Sequence, residues 1–317
     1  MTGQLLFLVC FYGVLFRQKG ILKMRKLLAL LLVLPLMLLS GGITLFDGET
    51  ALPVVVPAEM SLVQKTALDE LTGYLSRICG KSFPVIKEDG EFSEPGIYLG
   101  ATRFALRHGV MLGEFGDEEW MIKTVTGNLI LAGGEPRGTL YAVYHFLEDV
   151  LGVRWLTPYV EHVPEKAQLE ITELDMRGKP RMRYRDVYLV PGQAGGVFRV
   201  RNRMNSESAQ YGGRLLFSRF KGGSAHTLYT ALGDADYMRK LYQEHPEYFP
   251  LIDGERKFDS AKANGAAQSQ FCLTHPGLRK LWVEAMRQHI RNDHEIARKN
   301  GIQPPMFYAI DQNDCYD

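Results

Sequence analysis

The sequence predicts an α/β fold: a small α+β sandwich followed by an incomplete barrel of the (β/α)8 type. Three observations carry that reading. Residues 43–178 mix short β-type runs with two segments of helical period, the pattern of a sheet with helices on it. The stretch Glu161–Lys179 then turns charged, with Pro164 and Gly178 and one apolar run at Leu169–Ile171, and reads as a final strand plus a linker. From residue 179 on, strands and helices alternate in the order of a parallel barrel, and about half of its eight units are legible. The expected organisation is therefore a leader over 1–42, a first domain over 43–178 and the N-terminal half of a barrel over 179–317. The barrel reads as a fragment, because such a fold takes roughly 250 residues.

In the leader, Met24-Arg25-Lys26 precedes an apolar run from Leu27 to Leu39, and Ser40-Gly41-Gly42 follows. A basic start, a short apolar core and small residues are the grammar of a secretory signal, and the run falls short of the roughly 20 residues that span a bilayer. Met24 reads as the true start, with Leu5–Phe16 in an upstream extension; the competing reading is an uncleaved anchor or a membrane hairpin. The expectation is an exported protein (periplasmic, cell-surface or extracellular) with no stable membrane span once the signal is removed.

In the first domain, Ile43–Phe46 and Pro53–Val56 read as strands around an Asp47-Gly48 turn. Ser61 and Gln64 have capping-box spacing, Leu68, Leu71, Leu75 and Ile78 share a helical face, and Gly80 stops that helix. Phe83–Ile86 and Gly96–Leu99 are the next strands. Trp120–Thr126 and Leu129–Ala132 flank Gly127-Asn128 as a hairpin, and a second helix runs from Gly138 to Leu151. Beyond residue 179, Arg181–Val190, Gln270–Leu273 and Met306–Ile310 read as strands, the last one buried. Phe198–Asn205, Tyr237–His245 and Pro276–Lys299 read as helices, with Tyr248–Phe258 as a hairpin around Asp253-Gly254.

The chain has 317 residues, 46% apolar and 23% charged, enough to bury a sizeable core. Its 37 basic and 36 acidic residues leave a net charge of +1 and no basic stripe, so no nucleic-acid partner is expected. Of four cysteines, Cys10 lies in the leader, and Cys79, Cys272 and Cys315 match no zinc or redox spacing. Gly133-Gly134 and Gly222-Gly223 fit no phosphate-loop or dinucleotide fingerprint. No metal and no cofactor is expected.

Several stretches resemble known families. Ala67–Leu71 with Ile78–Val85 resembles the helix-to-strand unit of the non-catalytic domain that precedes the barrel in β-hexosaminidases and α-glucuronidases. Gly138–Tyr144, Phe146–Glu148 and Gly152–Pro158 are similar to the bacterial family named DUF4838, as are His226-Thr227, His245–Phe249, Gln270–Thr274 and Gln312–Asp314. The resemblance spans roughly residues 43–317 and implies a glycosidase-like protein that acts on an oligo- or polysaccharide when full-length, with the fragment itself expected to be inactive.

In a barrel, polar residues just past the strands face the substrate. That places Asp311–Asp314, His226 and, within the first barrel strand, Asp186 as candidates. Glycoside hydrolysis needs two carboxyl groups, one protonated and one ionised. Asp314 is the candidate general acid and Asp311 its nearest rival, with His226, Gln312, Asn313 and Trp155 as candidate substrate-binding residues. The bland readings are a hydrogen-bonded Asp-Gln-Asn-Asp turn, a loop-anchoring histidine and a tryptophan plugging a seam. Arg199, Arg201 and Arg203 would either clamp a sugar carboxylate or sit solvated on a helix. The alternative function is a non-catalytic carbohydrate-binding or surface protein that reuses the fold.

Overall fold

The computed structural model describes residues 42–88, 95–187, 195–205, 208–213, 227–258, 270–306, 308 and 310–312. Contacts group Ile43–Asp317 into one compact unit. The expected leader, apart from Gly42, lies outside the described residues, and no described helix is long and apolar enough to cross a membrane.

The fold is mixed α/β around one six-stranded sheet. In chain order its strands are β2 (Val54–Pro57), β3 (Val85–Glu88), β4 (Ile97–Leu99), β5 (Trp120–Val125), β6 (Asn128–Gly133) and β10 (Asp175–Gly178). They lie in the order β10-β5-β6-β4-β2-β3, with β6, β4, β2 and β3 parallel and β5 and β10 antiparallel to their neighbours. Alternation sends Val54, Val56, Ile97, Leu99, Leu129 and Leu131 to one face and Val55, Tyr98, Ile130 and Ala132 to the other. Helix α1 (Leu62–Cys79) and helix α3 (Gly138–His145) cover the first face. A short helix the sequence reading missed, α2 (Arg103–Arg107), brings Phe104 onto the second, where its ring stacks on Tyr98 at 4.1 Å. The sheet thus has helices on both faces, one more helix than the two that the sequence predicts against it.

Local codes set the element ends. Ser61 caps α1: Gln64 N–H donates to Ser61 Oγ at 3.2 Å, and Ser61 N–H donates to Gln64 Oε1 at 2.9 Å. The β5–β6 turn is Thr126-Gly127, both at positive φ (48° and 79°), one residue earlier than predicted, because Val125 pairs with Asn128. At the end of β6 the backbone of Gly133 meets Glu119 and Gly138 so closely that a Cβ would lie 2.4 Å from Glu119 O. Only glycine permits that approach.

Two small antiparallel pairs complete this part: β1 (Ile43–Phe46) with β9 (Leu169–Ile171), and β7 (Arg154–Trp155) with β8 (Glu161–His162). The segment read as a linker holds β10, which pairs with β5 from Asp175↔Lys123 to Gly178↔Trp120. An edge strand needs only its backbone for this, so its polar side chains hid it.

After residue 179 come α4 (Gly195–Arg201), α5 (Thr227–Thr230), α6 (Ala235–Glu244), the hairpin β11 (Leu251–Ile252) and β12 (Glu255–Arg256), and α7 (Pro276–Asn300). A second core gathers Tyr229, Phe249 and Phe271 under Leu278, Trp282 and Met286 of α7. Three expected strands differ. Residues 181–187 are irregular because Asn205 takes the strand partner's place: Arg185 N–H donates to Asn205 Oδ1 and Asn205 N–H to Arg185 O, both at 2.9 Å. Among the described residues, Gln270–Leu273 makes one such backbone contact, from Cys272 N–H to Tyr248 O at 2.8 Å, and then turns. In Met306–Ile310 only Tyr308 holds a bridge position among the described residues, and Met306 and Ile310 are exposed rather than buried.

Candidate functional site

Two segments singled out by sequence meet at one point. Thr227 is fully buried at the start of α5, and Asp311 is half-buried after the Tyr308 bridge. Asp311 N–H donates to Thr227 Oγ1 at 2.9 Å, and Leu228 N–H donates back to Asp311 O at 3.3 Å. The Trp282 indole N–H donates to Leu228 O at 3.1 Å and ties the junction to α7. With its backbone held on both sides, Asp311, which carries a carboxyl side chain, is half-buried beside the exposed Gln312. Such a group can accept hydrogen bonds from hydroxyls or, protonated, donate one. His226, Asn313 and Asp314 adjoin these residues in the chain and lie outside the described residues. Burial, and then the nearby Asp293, push the Tyr308 phenol well above its ordinary value, so it stays neutral.

Arg199 and Arg201 on α4, and Arg203 just past its end, are each paired with a carboxylate. Arg201 grips Glu70 with two hydrogen bonds, at 3.0 and 3.1 Å, and reaches Glu161 at 3.4 Å. Arg203 pairs with Glu148, and Arg199 lies 3.9 Å from Asp186. Asp186, the third candidate by position, accepts the Tyr184 hydroxyl at 3.1 Å.

Trp155 is buried, its ring edge-on to Tyr74 and Tyr144. Its indole N–H donates to Tyr74 Oη at 2.8 Å, and the Tyr74 hydroxyl donates to Glu161 Oε2 at 2.5 Å. Burial and then the Glu161 hydrogen bond push the Tyr74 phenol up to about 12. Burial would raise the Glu161 carboxyl, but hydrogen bonds from Tyr74 and Arg77 and the Arg201 charge hold it below its ordinary value. Trp155 therefore forms the wall of a cleft of about 250 Å³, between the β7–β8 loop and α4, rather than an open stacking platform.

Sequence reasoning missed Glu118. It sits at φ 58° and 3% exposed, and accepts from Arg137 at 2.9 Å, Arg185 at 2.6 Å and Asn205 at 3.3 Å. The charged run before the β5–β6 hairpin hinted at a polar role, but its partners stand 19 to 87 residues away. Among the described residues, no three His, Cys, Asp or Glu side chains gather as metal ligands.

A family model described as a domain of unknown function, DUF4838, matches residues 155–300. No curated protein matches. Among solved structures, the chain is similar to BtGH115A, a family GH115 4-O-methyl-α-glucuronidase described as specific for decorated arabinogalactans. Identity is 14% and the TM-score 0.43, over 68% of this chain and 35% of that one. It is also similar to a GH20 β-N-acetylhexosaminidase from Streptomyces coelicolor A3(2), at 15% identity and TM-score 0.36, over 68% and 38% of the two chains. For CpGH84B the identity is 14% and the TM-score 0.43, over 87% and 42%. The chain thus spans 35 to 42% of the length of these structures.

Proposed function

We propose that the protein is exported and acts on a complex carbohydrate as a glycoside hydrolase. Residues 43–178 form the non-catalytic domain of the kind that precedes the barrel in β-hexosaminidases and α-glucuronidases, and the (β/α)8 barrel begins near residue 179. Asp314 is the general acid, Asp311 is its acidic neighbour, and His226, Gln312 and Asn313 bind substrate hydroxyls. The observation that supports this reading is the Thr227–Asp311 junction, which ties segments 84 residues apart into one polar corner. A hydrolytic site needs that kind of convergence, because the acid must be held against the bond it protonates. The second carboxyl would stand roughly 5–5.5 Å away for retention, or about 6.5–9.5 Å for inversion.

The test is hydrolysis of a panel of aryl glycosides by the full-length protein and its variants. Asp314→Asn is expected to lower turnover by about 10²–10⁴-fold, the usual worth of general acid help. Asp311→Asn should cost much less. Hydrolysis by Asp314→Asn at the unmutated rate would refute the catalytic assignment.

A further inference from the structure

We infer that the cleft between the β7–β8 loop and α4 is a binding site for one neutral hexopyranose unit of a glycan. It is built from residues other than those of the Asp311 corner. It shares the carbohydrate ligand class with the proposed function but requires no hydrolysis.

Size sets the first limit. The cleft measures about 250 Å³, just under the roughly 300–1,000 Å³ of pockets for drug-sized ligands. It holds one ring, not a cofactor.

Charge sets the second. Around the polar floor, Arg77, Arg201 and Arg203 are matched by Glu161, Glu70 and Glu148. An anionic sugar meets no unbalanced positive charge there, and a cationic ligand no unbalanced negative one. A neutral ligand is what this balance accepts. Yet the floor remains able to hydrogen-bond: the Arg201 and Glu161 side chains are 22% and 27% exposed. A guanidinium has five N–H donors, and among the described residues the Arg201 contacts to Glu70 and Glu161 use three. The same ion pairs fix the orientation of both groups before any ligand arrives.

The walls supply the third limit. Val160 and Phe198 line the cleft with Trp155, and the Tyr159 ring stands 81% exposed beside them. The loop that carries Tyr159 is pinned: the amides of Tyr159 and Val160 donate to Thr157 Oγ1 at 3.1 and 2.9 Å, and Leu156 N–H to Val160 O at 3.0 Å. A large aromatic held open on a pinned loop is a preformed platform. A pyranose has an apolar C–H face for such a ring and a rim of hydroxyls for the Arg201–Glu161 floor. An aromatic side chain of a protein partner would cover that floor without satisfying it, which is unfavourable.

The full chain is applied to immobilised oligosaccharides ending in neutral hexoses, uronic acids or free-amine hexosamines, alongside Tyr159→Ala and Tyr159→Phe. Binding to neutral termini is expected, at least about tenfold weaker in Tyr159→Ala and close to unmutated in Tyr159→Phe, which keeps the ring. Absence of neutral-sugar binding, preference for uronate or amine termini, or binding by Tyr159→Ala at full strength each overturns the proposal. Hydrolysis is scored separately on aryl glycosides. Tyr159-dependent binding without hydrolysis would sink the hydrolase reading alone, and hydrolysis without such binding would sink the cleft alone.

Discussion

The sheet region and the region around α7 are held together by different means. In the first, six strands pair backbone to backbone and two apolar layers close over both faces. In the second, the described strands are two residues each, and one cluster of aromatic rings packs under a single long helix. Backbone pairing fixes a region through many repeated bonds, whereas an aromatic cluster concentrates its stability in a few side chains. The two also differ in what they leave open. The sheet region leaves Arg201 and Glu161 partly exposed at the cleft beside Tyr159, and the α7 region presents the half-buried Asp311 at its edge.

The sharpest way to break that contrast is Phe249→Ala. Phe249 is fully buried, with rings of Tyr242, Phe258 and Phe271 at 5.1, 5.1 and 5.2 Å. Truncation should cost about 3–5 kcal/mol and, by hydrogen exchange, strip protection from α6 and α7 while β5 and β6 keep theirs. Equal loss in the sheet would mean that the two regions unfold as one, and the contrast would fall.

This difference also governs how much was readable in advance. Elements with a short-range code were legible: the Ser61–Gln64 box, the Asp253-Gly254 turn at φ 52° and 80°, and α7 between Pro276 and the left-handed Gly301. Strand β10 was not, because an edge strand alternating Asp175, Met176 and Arg177 carries no apolar signature. The irregular course of residues 181–187 was hidden for another reason, since the Arg185 partner is a side chain twenty residues on. For the site, residue type and position pointed to Asp311 and to the segment of His226 and Thr227. The hydrogen bond joining them is a tertiary contact that no local pattern encodes. Arg201 of α4 and Arg203 just past it were visible, but the carboxylates that occupy them lie on α1, after α3 and on β8.

The Glu118 hub joins Arg137 to Arg185 and Asn205, and Glu118→Gln tests how strongly it binds the segments of Arg185 and Asn205 to the sheet. The Glu118 and Arg137 side chains are 4% and 1% exposed, and that of Arg185 is 12% exposed. Removing the one carboxylate strands two guanidinium charges in a poorly solvated place. The expected loss is about 3 kcal/mol, the lower end for a broken buried pair, because glutamine still accepts a hydrogen bond. Thermal denaturation reads the loss directly. A change of a few tenths of a kcal/mol would show that water reaches the hub and that packing, not charge, holds the segments.

The smallest expected effect is a pH dependence at the contact between β8 and α4. The folded protein holds the Glu161 carboxyl below its ordinary value, because Tyr74 and Arg77 donate to it and Arg201 adds charge, together outweighing burial. A carboxyl depressed in the folded state contributes stability above its unfolded value near 4.5, and that contribution fades as pH falls through the folded value. The sign follows from proton uptake: between the two values the unfolded chain binds more protons, so stability rises with pH. Glu161→Gln should start lower at neutral pH, having lost its ion pairs with Arg77 and Arg201. It should then decline less steeply, because glutamine does not titrate. Denaturant midpoints for both proteins, from neutrality down to about pH 3, would show the two curves converging in acid. Parallel curves would mean that Glu161 is ionised as readily in the unfolded chain, and that its hydrogen bonds orient Tyr74 and Trp155 without stabilising the fold.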